Sequence, residues 1–259
     1  MGTFLFDEII FGPIKSRRLG SSLGINLLPT TRKVCSFNCI YCECGWTELS
    51  DLKQRKLVTS IDYKNLLESK LIQLSEEGVS IDTITFAGNG EPTMHPEFER
   101  IIDITIELRN KYFENTKISV LTNATMIHKE SVHNALLKIE NAILKLDAGN
   151  ERMFNIINGP KGAVNFNQTF ANIKNFKGVK RIQTMFLRGE IDGELFDNTT
   201  DFEVATWIER LKEIKPNEIM IYPIERDTPA KNLQRITVDE LKKIAVKLEF
   251  FNISILVVG

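Results

Sequence analysis

The run Cys35-Ser36-Phe37-Asn38-Cys39-Ile40-Tyr41-Cys42 sets three thiols in one short loop, at the spacing Cys-x3-Cys-x2-Cys. That spacing lets a single loop wrap a cubic iron–sulfur cluster, and it supplies one thiolate fewer than full ligation takes. A cluster held by three protein ligands leaves one iron open, and an open metal position is where chemistry is done. Upstream, residues 23–28 read as a strand, which sets the loop at a strand end. Arg32 and Lys33 beside it favour thiolates and a negatively charged cluster.

The cysteine distribution argues against disulfides. All four lie between Cys35 and Cys44, which leaves most of the 259-residue chain without a staple. A zinc site is the alternative metal reading. Structural zinc takes a fourth protein ligand, for which Cys44 is available. Cys44 lies only two residues beyond Cys42 and reads better as a free or buried thiol than as a ligand.

The remainder is ordinary for a globular chain: 42% hydrophobic and 26% charged, with net charge −1. Such a balance creates no global field for nucleic acid or anionic membrane. Charge interrupts every apolar run short of a membrane-spanning length. The start, Met1-Gly-Thr-Phe-Leu-Phe-Asp7-Glu8, lacks a basic segment followed by an apolar one, so no signal peptide and a cytoplasmic location are expected.

No repeat or linker composition divides the chain. One domain over 1–259 is expected, with an N-terminal extension 1–22 and a core 23–259. Helical periodicity covers 63–77, ending at Gly78, then 96–111, 129–138, 166–176, 202–213 and 238–249. Strand-like runs cover 83–87, 118–122, 142–146, 181–186, 218–222 and 253–258. With 23–28 as the first strand, this makes six βα units and a terminal strand. Regular alternation implies a parallel sheet, either doubly wound or a barrel, with ligands at the carboxyl ends of its strands.

A second motif, Phe86-Ala87-Gly88-Asn89-Gly90-Glu91-Pro92-Thr93, follows the second strand. Its glycines permit a sharp turn and a close backbone approach to a ligand. The cysteine loop and this turn on consecutive βα units resemble the radical S-adenosylmethionine (radical SAM) superfamily. The resemblance implies a partial (β/α)6 TIM-like barrel, with a [4Fe-4S] cluster on Cys35, Cys39 and Cys42 and SAM chelated on the open iron. It implies that Gly88, Asn89, Gly90 and Glu91 meet the methionine ammonium and that Tyr41 lies near adenine. Asn89 stands where the family's middle glycine falls. Later strand ends resemble the remaining SAM contacts: Thr122 or Asn123 after the third strand, Lys145 and Asp147 at the fourth, and Tyr222 at the sixth. The implied reaction is reductive cleavage of SAM to a 5′-deoxyadenosyl radical that abstracts hydrogen from substrate. A one-electron reductant such as flavodoxin or ferredoxin is the implied partner. The catalytic residues toward substrate stay unassigned.

The stretches Phe11-Gly-Pro13-Ile-Lys-Ser16-Arg17-Arg18-Leu19-Gly20, Leu23-Gly24-Ile25-Asn26, Gly88–Pro92 and Tyr222–Arg226 with Pro229 resemble the branch related to wyosine-type tRNA-modifying proteins. Members that build the tricyclic base carry further N-terminal cysteines, and no cysteine precedes Cys35, so one cluster is expected. Eukaryotic members add an N-terminal flavin domain, which is not expected from this sequence. Residues 1–60 hold eight basic and five acidic side chains, a mild bias that suits phosphate contact. Against it, Glu190, Asp192, Glu194, Asp197, Asp201 and Glu203 surround one arginine, Arg188, in a loop expected near the barrel mouth. Small-molecule, peptide and tRNA substrates all remain open, as does a non-enzymatic zinc- or cluster-binding regulatory role. His95, His128 and His133 read as helix-start or solvated residues.

Overall fold

The computed structural model describes residues 4–48 and 57–259. Met1–Thr3 of the opening segment, and Lys53, Arg55 and Lys56 of the N-terminal basic bias, lie outside the described residues. In chain order the strands are β1 (Ile10–Ser16), β2 (Gly20–Ile25), β3 (Thr83–Phe86), β4 (Lys117–Thr122), β5 (Asn141–Lys145), β6 (Arg181–Met185), β7 (Leu187–Ile191), β8 (Glu194–Asp197), β9 (Glu218–Tyr222), β10 (Leu233–Arg235) and β11 (Ser254–Val257). The helices are α1 (Ser60–Glu76), α2 (Phe98–Tyr112), α3 (Glu130–Leu137), α4 (Glu151–Asn158), α5 (Phe166–Asn175), α6 (Asp201–Ile214) and α7 (Val238–Val246).

The main sheet runs β1-β2-β3-β4-β5-β6-β9-β11. β1 pairs antiparallel with β2, and the other neighbours are parallel. Its two edges, β1 and β11, do not pair, so the molecule is an open barrel of the partial TIM-like kind. All six expected βα strands and the terminal one are present. β7 and β8, inserted between β6 and α6, form a separate three-stranded sheet with β10, which lies between β9 and α7.

Strand alternation decides which face each residue serves. Leu23, Ile25, Ile84, Phe86, Ile118, Val120, Leu144, Ile182, Ile219 and Ile221 are buried against the helices, where Tyr63, Leu67, Leu71, Ile101, Leu108, Trp207 and Leu211 complete the core. Burying each such side chain contributes roughly 1.5–3 kcal/mol. The alternate residues turn into the lumen, and many of them are polar, with Leu121, Ile143 and Met220 as apolar exceptions. Ser22 Oγ donates to Thr85 Oγ1 at 2.8 Å, Thr83 and Ser119 hydroxyls meet at 2.8 Å, and Asn141 Nδ2 donates to Ser119 Oγ at 2.9 Å.

Several boundaries differ from the sequence reading. The first parallel strand spans Gly20–Ile25 rather than 23–28, and residues 10–25 form a hairpin. Phe6 stacks on Phe11 with ring centroids 3.8 Å apart, and a side chain at Gly24 would lie 2.1 Å from the Phe11 ring. Helix α4 was not anticipated: Asn150 Oδ1 caps it by accepting from Met153 N, and Gly159 (φ 49°) ends it. The helix expected from 96 begins at Phe98, and its cap position, Glu97, makes no side-chain capping bond.

The acidic loop is also not as expected. Residues 188–203 form the β7–β8 hairpin and the start of α6. Several of their carboxylates are ion-paired: Asp197 with Arg188 (3.3 Å), Glu194 with Arg152 (2.6 Å) and Asp201 with Lys247 (2.6 Å). Pairing offsets part of the repulsion that the composition alone suggests.

Candidate active site around the cysteine loop

The cysteine loop follows β2 and is anchored by its backbone. Val34 N donates to Asn89 O (2.9 Å) and Val34 O accepts from Glu91 N (3.1 Å), which ties it to the loop after β3. Asn38 N donates to the carbonyls of Asn158 and Gly159, and Ile40 N to Ile157 O, which ties it to the end of α4. Phe37 lies edge-on to Phe154, with centroids 5.3 Å apart, and joins Ile40, Ile157 and Phe166 in a second apolar cluster.

Cys35, Cys39 and Cys42 line one cavity of about 210 Å³ together with Tyr41, Gly88, Gly90, Glu91, Thr122, Asn123, Lys145 and Tyr222. Of the expected site residues, Asn89 and Asp147 are not in its wall. The Asn89 side chain faces away from it: Nδ2 donates to Phe6 O and Pro29 O, and Oδ1 accepts from Phe6 N. Asp147 lies one layer out. It accepts from the Tyr41 hydroxyl, from Asn158 Nδ2 (2.8 Å) and from Met185 N (2.9 Å). Lys145 donates to the Tyr41 hydroxyl and lies 3.5 Å from Asp147, so these three polar groups form one buried network.

Glu91 is buried, and its carboxylate is fully engaged. Thr122 Oγ1 donates at 2.7 Å, Asn123 N at 2.7 Å and Thr93 N at 3.2 Å. Burial raises its pKa against these hydrogen bonds. Gly90 has φ +141°, and a Cβ there would sit 1.8 Å from Val34 O; at Gly88 (φ +145°) it would sit 2.7 Å from Asn26 Oδ1. Only glycine permits this approach of the two loops.

The sequence suggested Lys33 as a supporting charge, and the structure places it in the cavity wall. It is 3% exposed and donates to Gly45 O at 2.9 Å. Burial works against its ammonium, but the charges of Cys42, Cys35 and Cys39 overcome that and raise its pKa. Burial pushes the Cys35 thiol up to about 12 and also raises Cys39, with the nearby lysines opposing. Cys42 is held well below its ordinary value, chiefly by a hydrogen bond from Cys44, whose own pKa rises in return. Cys44 Sγ also lies 3.3 Å from Gly88 O. Asn123 Nδ2 reaches Cys35 Sγ at 3.6 Å, and Asn158 Nδ2 reaches Cys39 Sγ at 3.5 Å.

Sequence reasoning passed over Arg18, Phe37 and Gln183, which also line the cavity. The period-2 pattern of β6 is a signal that points Gln183 into the lumen. His95 is buried rather than solvated. Its Nε2 lies 3.0 Å from Val58 O, and Glu97 N donates to Nδ1 at 3.2 Å.

This donor set fits an anionic iron–sulfur cluster. A buried ammonium whose charged neighbours are thiols needs thiolates or a cluster for balance, and the paired glycines open a cradle beside it. Among the described residues, no three His, Cys, Asp or Glu side chains converge as one metal ion requires. Nor is any helix among them long and apolar enough to cross a membrane.

UPF0026 protein slr1464 of Synechocystis is 31% identical over 87% of this chain and 78% of its own length. UPF0026 protein MJ1312 of Methanocaldococcus jannaschii is 29% identical over 94% of this chain and 71% of its own. A protein named GTPase Obg from Brachyspira hyodysenteriae is 29% identical over 90% of this chain, which spans only 32% of that protein. The fold matches Streptococcus suis SuiB bound to S-adenosylmethionine (TM-score 0.63, 16% identity, 91% of this chain and 50% of that one). It also matches archaeal TYW1 (TM-score 0.55, 15% identity, 88% and 71%). Residues 31–202, more than half the chain, match the family described as the radical SAM superfamily. The chain therefore belongs to the radical SAM superfamily and to the UPF0026 proteins.

Proposed function

We propose that the chain is an SAM-cleaving enzyme in which Cys35, Cys39 and Cys42 hold a [4Fe-4S] cluster and the adjoining cavity takes SAM. The observation that carries this reading is a single cavity receiving all three thiols together with Gly88, Gly90, Glu91, Thr122 and Asn123. When bound, the cofactors supply one-electron cleavage of the sulfonium, with hydrogen abstraction from substrate by the resulting 5′-deoxyadenosyl radical.

The chain's own residues bind, orient and shield. The Val34–Gly90 bridge and the α4 contacts hold the sulfur-bearing loop at fixed distance from the glycine turn. Lys33 balances negative charge at the thiols. The amides of Asn123 and Asn158 approach two of the sulfurs, a contact that tunes a cluster's potential. Glu91, held by Thr122 and Asn123, presents a fixed acceptor beside the glycines, suited to an ammonium group. Phe37, Tyr41 and Leu121 contribute apolar wall, which excludes water. A flavodoxin- or ferredoxin-type reductant is the partner this chemistry requires.

The test is anaerobic reconstitution with iron and sulfide, followed by reductant and SAM. Wild type is expected to yield 5′-deoxyadenosine and methionine, and Cys35→Ala, Cys39→Ala or Cys42→Ala to abolish both. Undiminished 5′-deoxyadenosine from any of the three would sink the reading, as would zinc without sulfide in the wild type.

A further inference from the structure

The three cations lining the cavity are not equivalent. Lys33 faces the thiols, and Lys145 pairs with Asp147. Arg18 enters from the turn between β1 and β2 and has no carboxylate partner among the described residues. Its Nη1 donates to Gln183 Oε1 at 2.9 Å, and its guanidinium carbon lies 4.7 Å over the Tyr222 ring. The Tyr222 hydroxyl also approaches Gln183 Oε1, at 3.4 Å, which holds the carboxamide in place. Both neighbours are neutral, so they aim the guanidinium without cancelling its charge. One of its five N–H donors is engaged with Gln183, which leaves a fork for a bidentate acceptor.

Arg18 is common to the walls of this cavity and of a wider one, about 780 Å³, at the opposite end of the strands. Of the three acids of that wider cavity, Glu218 pairs with Arg181 at 2.8 Å, Asp82 accepts from Ser21 N at 2.7 Å, and Glu114 is exposed and forms no ion pair with Arg18. A partly buried, aimed and uncompensated guanidinium asks for an anion from outside the chain.

We propose that Arg18 is the receptor for an oxyanion, a carboxylate or a phosphate, carried by the substrate. The assignment of that anion to substrate rests on the reading that the cysteine end takes the cluster and SAM. Arg18 then holds the acidic end of the substrate at the inner end of the cavity, across from the thiols.

The test uses the full chain without cluster or SAM, titrated separately with inorganic phosphate and with acetate at constant ionic strength. Binding is read by calorimetry and, for phosphate, by ³¹P line broadening. Wild type is expected to bind at least one of the two, and the tighter one names the substrate's acidic group. Arg18→Gln is expected to weaken that binding about tenfold or more, since a charged hydrogen-bonded contact is lost. Arg18→Lys, which keeps the charge but loses the fork, should fall between, and it decides the matter if the glutamine variant misfolds. Equal affinity in wild type and either folded variant would overturn the proposal, as would no binding of either anion by wild type. The titration needs no cofactor, so its outcome is independent of whether the reconstituted protein cleaves SAM.

Discussion

Gly90 is the tightest point of the site, because its α-carbon faces the Val34 carbonyl across the bridge that ties the cysteine loop to the glycine turn. Gly90→Ala has to break that bridge or strain a backbone at φ +141°. A loss of about 3 kcal/mol or more is expected in urea denaturation, and wild-type stability would refute the packing described. Lys33 makes a different prediction, in charge rather than shape. Replacing it with methionine removes a buried positive charge beside the thiols, so an added electron is less welcome there. The reduction potential of the reconstituted protein should fall by roughly 60 mV or more, one decade for a one-electron couple. An unchanged or higher potential in redox titration would show that the ammonium does not act on the cluster.

At the scale of elements, the short 3₁₀ turn Pro92–Met94 and the start of α2 are pinned by His95. The ring donates from Nε2 to Val58 O and accepts Glu97 N at Nδ1, an arrangement available only to neutral imidazole. Burial lowers its pKa in the fold, so above the unfolded value of about 6.5 its contribution is complete. As pH falls below that value the unfolded chain takes the proton first, and stability is lost toward the lower folded pKa. The thermal midpoint should drop between pH 7 and pH 5.5, and drop less in His95→Gln; equal slopes would refute this. Elements of this kind differ in how plainly the sequence announces them. The parallel strands were legible because each is a buried run such as Ile84–Phe86 or Ile219–Ile221 closed by turn residues. The site loops were legible because cysteine and glycine spacing carries chemistry that burial does not disguise. α4 was not, since its eight residues include two asparagines and only Asn150 and Gly159 mark its ends. β1 and the β7–β8 hairpin escaped because their partners are set by three-dimensional pairing, and β7–β8 reads as an acidic loop until its ion pairs are seen. Asn89 stands at a ligand-binding position by motif alone; its side chain ties the N-terminal segment to the turn.

At the scale of the whole molecule, the barrel is open and its lumen is polar, and these two facts belong together. A closed barrel of this size fills its interior with branched apolar side chains. Here the lumen carries the chain Ser22, Thr85, Thr83, Ser119 and Asn141, contributed by four different strands. Arg17 pairs with Glu225 at 3.0 Å and Arg18 reaches Gln183 and Tyr222, so the β1–β2 turn bridges to the fifth and sixth parallel strands and the segment after them. Hydroxyl partners across strands then add side-chain ties to the backbone ladder on the inner face. The consequence is measurable coupling between residues far apart in sequence. Ser119→Ala alone strands the Asn141 amide and leaves the Thr83 hydroxyl only its longer 3.4 Å contact with Thr85, a cost of about 1–3 kcal/mol. Thr83→Val alone leaves Ser119 with one partner fewer. Because both remove the same contact, the double variant should be less destabilised than the sum by about 0.5 kcal/mol or more. Strict additivity in urea denaturation would show that each hydroxyl is satisfied independently, by water in the lumen, and that the ladder does not tie the strands together.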